Sequence, residues 1–328
     1  MPLLRLLCAL LLLPTTALAL EEITDFGPNP GALRMFLHTP PGDATGLPLV
    51  VALHGCTLKA DRFDDETGLT RLADETPFLL LLPEQDPDNM SNRCFRFYDT
   101  DDNQPGQGES ASIMAMIDHV LATQGADPAK VHVLGLSGGG GMSAVMLANH
   151  PDRFAGGAII AGVPYGCNRP ASLWDTAWYW KNWFGLDGLD AIYACGIYGY
   201  SRTDRSPDTW ASYITEVGSS PAQWPLLSIW QGADDDTVDP RNLTELTEQW
   251  TTVMGLAASP ASTDTIGAAT RRTYTDTSGT PRLETWELSG FGHAVPIDPD
   301  TGCGLMAEHM SDVDICAIRR ITAFWGLD

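Results

Sequence analysis

The chain has 328 residues, of which 44% are hydrophobic and 9% aromatic, and its formal net charge is −23. This composition suffices for a large buried core and excludes disordered and fibrous proteins. A surface this acidic repels phosphate groups, and we therefore expect no nucleic acid among the partners of the protein.

The first 19 residues have the organisation of a secretory signal peptide. Arg5 supplies a positive charge, an apolar run follows it, and Ala17 and Ala19 are the small residues that precede a cleavage site. The apolar run is shorter than the about 20 residues that a membrane span needs. We therefore expect a mature chain, residues 20–328, that is exported to the extracellular space or the periplasm and is not held in a membrane.

Apolar runs and amphipathic stretches alternate along the mature chain. Short continuous apolar runs are typical of buried parallel strands, and apolar residues three or four positions apart are typical of helices. The predicted strands are 48–53, 78–82, 131–136, 154–161, 225–230 and 282–288. The predicted helices are 67–73, 109–123, 142–148, 243–254 and 313–325. The alternation predicts one α/β domain with a mostly parallel sheet and helices on both faces.

An aromatic-rich segment, residues 168–220, interrupts this alternation. Four tryptophans lie between positions 174 and 183, and Trp210 follows them. We predict an insertion attached to the sheet rather than a second domain. Its aromatic side chains either pack a small core of their own or line part of a substrate cleft above the sheet, and the sequence is compatible with both.

Six of the seven cysteines follow the signal segment, and an even number in an exported protein indicates disulfide bonds. Closure of a short loop favours the pair Cys303–Cys316, and pairing the others in sequence order gives Cys56–Cys94 and Cys167–Cys195. This pairing is a hypothesis, because six cysteines allow many connectivities. The sequence has no Cys-x-x-Cys pair, so we expect no thiolate metal site.

A Gly-x-Ser-x-Gly motif at residues 135–139 follows the strand 131–136 directly and precedes a predicted helix. The motif alone is frequent by chance, but this strand–turn–helix context is the one that exposes a serine at a sharp, strained bend. A phosphate-binding loop would need a lysine after the glycines, and none follows. We therefore predict that Ser137 is a nucleophile.

A catalytic serine needs a histidine as base and a carboxylate that orients it, and in enzymes with this motif both follow the serine, acid first. Of the seven histidines, His293 and His309 lie beyond a plausible acid. His293 stands in a glycine-containing loop after a strand, from which an imidazole can reach the edge of the sheet. His309 lies in the stretch 306–310, which we expect to be a surface helix. His293 is the predicted base.

Three adjacent carboxylates, Asp234, Asp235 and Asp236, follow the strand 225–230 and are the candidates for the acid. Spacing alone does not choose among them. Their clustering is also compatible with a cation site. Adjacent residues in a loop rarely all point inward, so we expect no metal there.

The segment 54–56 follows the strand 48–53, where a backbone amide can reach the oxyanion of a reacting ester. A residue of this segment is the predicted donor, and Gly138, the residue after the nucleophile, would supply the second amide. Such donors contribute about 3 kcal/mol each to catalysis. A disulfide bond from Cys56 to Cys94 would hold this loop rigid.

Together these motifs resemble the secreted polyhydroxybutyrate-depolymerase-type esterases, α/β hydrolases related to feruloyl and acetylxylan esterases. The segments that carry the resemblance are 29–35, 53–56, 106–109, 135–140, 164–167, 228–232, 292–294 and 318–327. The family pattern Gly-x-x-Asp-x-x-Val, matched here by Gly232, Asp235 and Val238, implies that Asp235 is the acid. The resemblance also supports Cys56 as the oxyanion donor and its bond to Cys94.

The sequence departs from the family pattern near the expected cleft. Gln231 stands where the family usually has histidine, and Gly138 stands where it has alanine. The segment 94–98 replaces an aromatic Cys-Trp-Asn-Trp-like segment. The residues that we expect in the substrate cleft are His54, Phe97, Tyr98, Trp230 and Gln231.

The predicted protein is a secreted serine esterase that forms an acyl-enzyme and needs no cofactor. The resemblance implies hydroxyalkanoate polyesters, their oligomers or short acyl esters as substrates. Feruloyl esters and acetylated xylan are the alternative, which the aromatic insertion would also suit. An alternative of another class is a protein without catalytic activity that binds carbohydrate or polymer.

Overall fold

A computed structural model of the chain describes residues 20–169, 192, 194–198, 204–218 and 220–328. The predicted signal peptide lies outside these residues, as do the four tryptophans between positions 174 and 183. Among the helices of the described ranges, none combines the length and the apolar character needed to cross a bilayer.

The strands of the described residues form a ten-stranded sheet and a two-stranded sheet. Their bounds are β1 Glu21–Ile23, β2 Leu33–His38, β3 Leu49–Leu53, β4 Leu79–Gln85, β5 Val131–Leu136, β6 Gly156–Ile160, β7 Leu226–Gly232, β8 Ser262–Ile266, β9 Ala269–Thr275, β10 Pro281–Leu288, β11 Val295–Ile297 and β12 Met310–Asp312. The large sheet has the order β1-β2-β4-β3-β5-β6-β7-β10-β9-β8. Its centre from β4 to β10 is parallel, and the two strands at each end are antiparallel. The small sheet pairs β11 with β12.

Helices cover both faces of the large sheet. Their bounds are α1 Ala60–Thr67, α2 Leu69–Glu75, α3 Gly108–Gln124, α4 Gly138–Asn149, α5 Pro207–Thr215, α6 Asn242–Met254 and α7 Ala317–Phe324, with a 3₁₀-helix at Pro299–Thr301. Apolar side chains of α3, α4, α5 and α6 pack on one face, and those of α1, α2 and α7 pack on the other. The predicted α/β class with helices on both faces is therefore confirmed.

Strand β3 shows why the central strands are apolar at every position. Leu49, Val51 and Leu53 pack into the cluster on one face, and Val50 and Ala52 pack into the cluster on the other. All five side chains are buried. A strand covered on both faces gains from apolar residues throughout, so it lacks the alternation of a half-exposed strand.

All six predicted strands are confirmed, with ends that shift by a few residues. The helix predicted at 142–148 begins earlier, at Gly138, because the glycine run belongs to the helix and not to a loop. Helix α1 and the antiparallel strands at both ends of the sheet were not predicted. The described part of the aromatic insertion includes α5, where Trp210 is fully buried and donates a hydrogen bond to Glu245 at 2.6 Å.

The six cysteines form the disulfide bonds Cys56–Cys94, Cys167–Cys195 and Cys303–Cys316. These are the pairs that sequence order suggests. The first bond joins the loop after β3 to the loop after β4, beside the carboxyl ends of the central strands. Three disulfide bonds are compatible with an extracellular protein.

A buried histidine in β5 makes stability depend on pH. His132 is 2% exposed and stacks on Trp325, with ring centroids 4.8 Å apart. Burial lowers the pKa of His132 from 6.5 to about 4. As the pH falls through this window, the unfolded chain binds a proton that the folded chain does not, so the free energy of unfolding decreases.

We therefore expect His132→Phe, which keeps a ring against Trp325, to lose less stability in acid than the wild type. Between about pH 7 and pH 4, the loss should be smaller by about 3 kcal/mol. Urea unfolding of both proteins at the two pH values measures this difference. Equal losses in the two proteins would show that His132 is not the group responsible.

Candidate active site

A cavity of about 300 Å³ opens at the carboxyl ends of the central parallel strands. Cys56 follows β3, Ser137 follows β5, and Val238 and His293 lie in the loops after β7 and β10. All four residues line the cavity. In parallel α/β sheets, ligands bind at this edge, because loops from several strands converge there.

Ser137 lies at the bend between β5 and α4, in a backbone conformation that is unusual for a residue other than glycine. Its φ is 56° and its ψ is −117°. Such a conformation costs roughly 1–2 kcal/mol and persists where the surroundings fix it. Here the Ser137 amide donates to Ile160 and the Ser137 carbonyl accepts from Gly141, both at 2.9 Å. The bend presents the serine to the cavity.

His293, which lines the cavity, pairs with the buried Asp235. The distance from His293 Nδ1 to Asp235 Oδ2 is 2.8 Å, and the side chains are 9% and 0% exposed. Asp235 Oδ1 accepts the backbone N–H groups of Thr237 and Val238, each at 2.9 Å. Asp235 Oδ2 also accepts from Gln231 Nε2 at 2.9 Å. These bonds fix the carboxylate against the imidazole.

The neighbouring carboxylates, Asp234 and Asp236, are exposed, whereas Asp235 is 5% exposed. The structure thus separates three residues that spacing alone does not distinguish. Within the described ranges, no cluster of three or more histidine, cysteine, aspartate or glutamate side chains is arranged to hold a metal ion.

Ser137 and His293 line the same cavity. In the part of the chain that the structure describes, no hydrogen bond joins their side chains. In enzymes without substrate, the contact between nucleophile and base is often long and shortens when substrate binds. The absence of this hydrogen bond is therefore compatible with a nucleophile and its base in an enzyme without substrate.

The backbone amides of Cys56 and Gly138, both at the cavity, have no hydrogen-bond partner among the described residues. The Cys56–Cys94 bond lies directly against Gly138. A Cβ atom at Gly138 would be 2.9 Å from Cys94 Sγ and 3.0 Å from Cys56 Sγ. Glycine at this position therefore gives the disulfide room beside the nucleophile.

Comparison with known proteins places this chain in a family. The family model described as Esterase PHB depolymerase matches residues 33–175. Poly(3-hydroxyalkanoate) depolymerase C of Paucimonas lemoignei is 37% identical over 314 residues, which cover 94% of this chain and 70% of that protein. The chain belongs to the PHB depolymerase esterase family.

Two further relatives extend the comparison. Feruloyl esterase B of Talaromyces stipitatus is 30% identical, and the match covers 88% of this chain and 75% of that protein. The solved acetyl xylan esterase from Aspergillus awamori matches with a TM-score of 0.75 and 25% identity, covering 94% of this chain and 100% of that chain. The fold is that of an α/β hydrolase, and the protein is a carboxylic ester hydrolase.

Of the five residues expected in the substrate cleft of this esterase, Phe97 lines the cavity. The lining does not include His54, Tyr98, Trp230 or Gln231, which are between 1% and 8% exposed. That expectation is revised for these four. The reason is that they face the interior of the protein, where each supports a neighbouring element.

His54 and Gln231 both act behind the cavity wall. His54 Nδ1 lies 2.7 Å from the Gly55 carbonyl, and the Gln85 amide donates to His54 Nε2 at 3.1 Å, which fixes the loop that carries Cys56. Burial lowers the pKa of His54 from 6.5 to about 4, so the ring is neutral at physiological pH. Gln231 Nε2 donates to Val238 O at 3.1 Å as well as to Asp235.

Trp230 and Tyr98 pack among aromatic rings instead of contacting the cavity. Trp230 stacks on Trp286 of the adjacent strand, with centroids 4.4 Å apart and planes at 5°. Tyr98 packs edge-on against Phe97, with centroids 5.3 Å apart. Trp230 therefore belongs to the core on the α7 face of the sheet, and Tyr98 supports the ring that does line the cavity.

The expectation of a surface helix at 306–310 is wrong. These residues form a turn that leads into β12, and the turn brings His309 to the cavity. The rings of His309 and His293 are 6.0 Å apart and nearly perpendicular. Sequence reasoning missed this contact, although the flanking cysteines, Cys303 and Cys316, indicated a closed loop.

Glycines in the bend allow α4 to pack against the sheet backbone. A Cβ atom at Gly135 would lie 2.2 Å from the Gly139 carbonyl oxygen, and a Cβ atom at Gly139 would lie 2.1 Å from the Leu53 carbonyl oxygen. Both contacts are with backbone atoms, which cannot move away without moving a strand or the helix. The close approach positions Ser137 above β3 and β5.

We expect Gly139→Ala to lower the free energy of unfolding by about 3 kcal/mol, because the added methyl overlaps the backbone of β3. Gly55→Ala is the matched control, since a Cβ atom there would be 3.5 Å from its nearest neighbour, a side-chain carbon of Leu136. Urea unfolding of both variants measures the difference. Equal stability of the two would contradict the close approach.

Proposed function

We propose that the protein is a secreted serine esterase in which Ser137, His293 and Asp235 act as a catalytic triad. The observation that carries the proposal is a strained serine and a buried His–Asp pair around one cavity. Ser137 Oγ attacks the ester carbonyl while His293 Nε2 takes its proton. Asp235 holds the proton of the imidazole on Nδ1 and stabilises the imidazolium.

The amides of Cys56 and Gly138 bind the oxygen that becomes negative in the tetrahedral intermediate. Their lack of other partners supports this role. His293 then donates its proton to the departing alcohol, and the acyl-enzyme forms. Water, activated by the same imidazole, releases the acid and restores Ser137.

The preferred substrates in this proposal are hydroxyalkanoate polyesters, their oligomers and short acyl esters. The name of the Paucimonas relative, a poly(3-hydroxyalkanoate) depolymerase, supports this class. The cavity is small, and Phe97, Leu136, Val163 and Val238 give it apolar walls, which suit a short acyl chain. Feruloyl esters or acetylated xylan are the second candidate, favoured by the feruloyl and acetyl xylan esterases among the relatives.

The test combines covalent labelling with a substrate panel. A fluorophosphonate should label the folded protein once, on the peptide that contains Ser137, and should not label the denatured protein. The panel contains p-nitrophenyl butyrate, hydroxybutyrate oligomers, methyl ferulate and acetylated xylan. Absence of labelling and of turnover would contradict the proposal and favour a binding protein without catalytic activity.

A further inference from the structure

One wall of the cavity has polar side chains that the proposed triad does not use. Glu308 and His309 line the cavity together with His293. Glu308 is exposed and His309 is half-buried. Among the described residues, the ring nitrogens of His309 have no hydrogen-bond partner, so both are available to a ligand.

The turn that carries these two side chains is fixed in several places. The Cys303–Cys316 bond closes the segment. The His309 carbonyl accepts from the Val295 amide at 2.8 Å, and the Leu305 amide donates to the Glu66 carbonyl at 2.9 Å. A turn whose backbone is already ordered loses little entropy when a ligand binds, so its side chains can contribute to specificity.

The chemistry of the proposed triad indicates which part of an ester would meet this wall. His293 must reach the oxygen of the departing alcohol in order to protonate it. The alcohol portion therefore lies beside the His293 ring, and the carbonyl is held by the amides of Cys56 and Gly138. Because the His309 ring is 6.0 Å from the His293 ring and Glu308 lines the same cavity, we expect both side chains to meet the alcohol portion.

The charge at this wall is negative. Arg62 is a cation that interacts electrostatically with Glu308, but its guanidinium forms an ion pair with Glu66, with Nε and Oε1 2.5 Å apart. Arg62, Glu66 and Glu308 together carry one net negative charge, in a chain whose formal charge is −23. An alcohol portion with a carboxylate would be repelled there. A neutral carbonyl or hydroxyl group can instead pair with His309 or Glu308.

We propose that Glu308 and His309 form a subsite that accepts an uncharged, oxygen-bearing alcohol portion and excludes one with a free carboxylate. This inference rests on the proposed function of the triad. For a hydroxyalkanoate chain, the subsite favours hydrolysis of interior bonds over release of the terminal hydroxyacid, whose carboxylate would lie against Glu308.

The test uses the dimer of 3-hydroxybutyrate as its free acid and as its primary amide. Each contains a single ester bond, and at about pH 8 they differ in the charge of the alcohol portion. We expect kcat/KM of the wild type to be about tenfold higher for the amide, because the like charge of the acid is repelled. Glu308→Gln should reduce this ratio about fivefold by raising kcat/KM for the acid.

Glu21→Gln is the matched control for the loss of one negative charge. Glu21 is exposed on β1, the strand at the far end of the sheet from β8, and it does not line the cavity. This variant should keep the wild-type ratio. An equal change of the ratio in Glu21→Gln and Glu308→Gln would assign the selectivity to the general charge of the molecule and overturn the subsite.

His309→Phe tests the second residue of the pair. We expect kcat/KM for the dimer amide, relative to that for p-nitrophenyl acetate, to fall about tenfold, because a hydrogen bond to the alcohol portion is lost. The proposal would be overturned if the wild type had equal kcat/KM for the acid and the amide. It would also be overturned if the wild type hydrolysed p-nitrophenyl acetate rapidly but turned over neither dimer. Failure of the triad itself looks different, since the wild type would then hydrolyse p-nitrophenyl acetate no faster than Ser137→Ala.

Discussion

Replacing Ser137 with alanine is expected to lower kcat for ester hydrolysis by about 10⁶-fold. Without Oγ no acyl-enzyme forms, and the remaining amides and imidazole act only on a water molecule. The fold should persist, because alanine meets the same backbone strain at φ 56° that serine already meets. Initial rates with p-nitrophenyl butyrate and thermal unfolding by circular dichroism measure the two effects.

Ser143→Ala is the matched control for this variant. Ser143 lies in the same helix, α4, is fully buried, and its hydroxyl has no hydrogen-bond partner among the described residues. It does not line the cavity, so its loss should leave kcat nearly unchanged. A Ser137→Ala protein with a kcat close to that of Ser143→Ala would remove Ser137 from the mechanism.

The effects on kcat of replacing Ser137 and of replacing His293 should not add. The imidazole serves the hydroxyl, so once one is absent the other has no partner in the reaction. We expect His293→Ala to lower kcat about as far as Ser137→Ala, and the double variant to be no slower than either. A double variant slower by the product of both effects would show that the two residues act in separate steps.

The sequence predicts the centre of this fold well because its signals are local. Strands such as β3 and β5 are buried on both faces, and they appear as continuous apolar runs wherever they occur in a chain. Strand β8 gives no such signal, since four of its five residues are exposed. Strand β8 forms because it pairs with β9, and its own sequence pattern does not indicate that pairing.

Strand β2 shows a different limit. Leu33, Met35 and Leu37 are buried on one face, which is the alternation of a half-covered strand, but the apolar Phe36 between them obscures that pattern in the sequence. Its antiparallel pairing with β4 involves residues about fifty positions away. Contacts of that range depend on the whole fold and not on local preference.

Some residues of the candidate site can likewise be predicted from local sequence, and others cannot. Ser137 follows from a local motif, and the direction of its side chain follows from the bend. Spacing cannot choose Asp235 over its neighbours, because the choice is made by the amides of Thr237 and Val238, which turn one carboxylate inward. His309 approaches His293 through a turn closed by the Cys303–Cys316 bond, which the sequence indicates, and through the pairing of β11 with β12, which the sequence pattern does not show.

Asp235→Asn should lower kcat by about 10⁴-fold while the protein stays folded. The amides of Thr237 and Val238 require an oxygen at the Oδ1 position, so the asparagine must place its NH₂ group at the Oδ2 position. There it faces His293 Nδ1 and Gln231 Nε2. A donor in place of an acceptor favours the tautomer of His293 with its proton on Nε2, which cannot accept a proton from Ser137.

The neighbouring carboxylates provide the controls for this prediction. Asp234→Asn and Asp236→Asn make the same chemical change in the same loop, but at exposed positions. We expect their kcat to remain within about twofold of the wild type, since an exposed charge is screened by solvent. A fall in either comparable to that of Asp235→Asn would mean that the charge of the loop, and not the contact with His293, supports catalysis.

The tautomer gives a second measurement that a merely structural role would not change. Nitrogen NMR of the His293 ring should show the neutral form protonated at Nδ1 in the wild type and at Nε2 in Asp235→Asn. If kcat falls while Nδ1 stays protonated, the carboxylate acts mainly by stabilising the imidazolium. If both change together, the 2.8 Å contact between Asp235 and His293 sets the direction in which the proton of Ser137 can move.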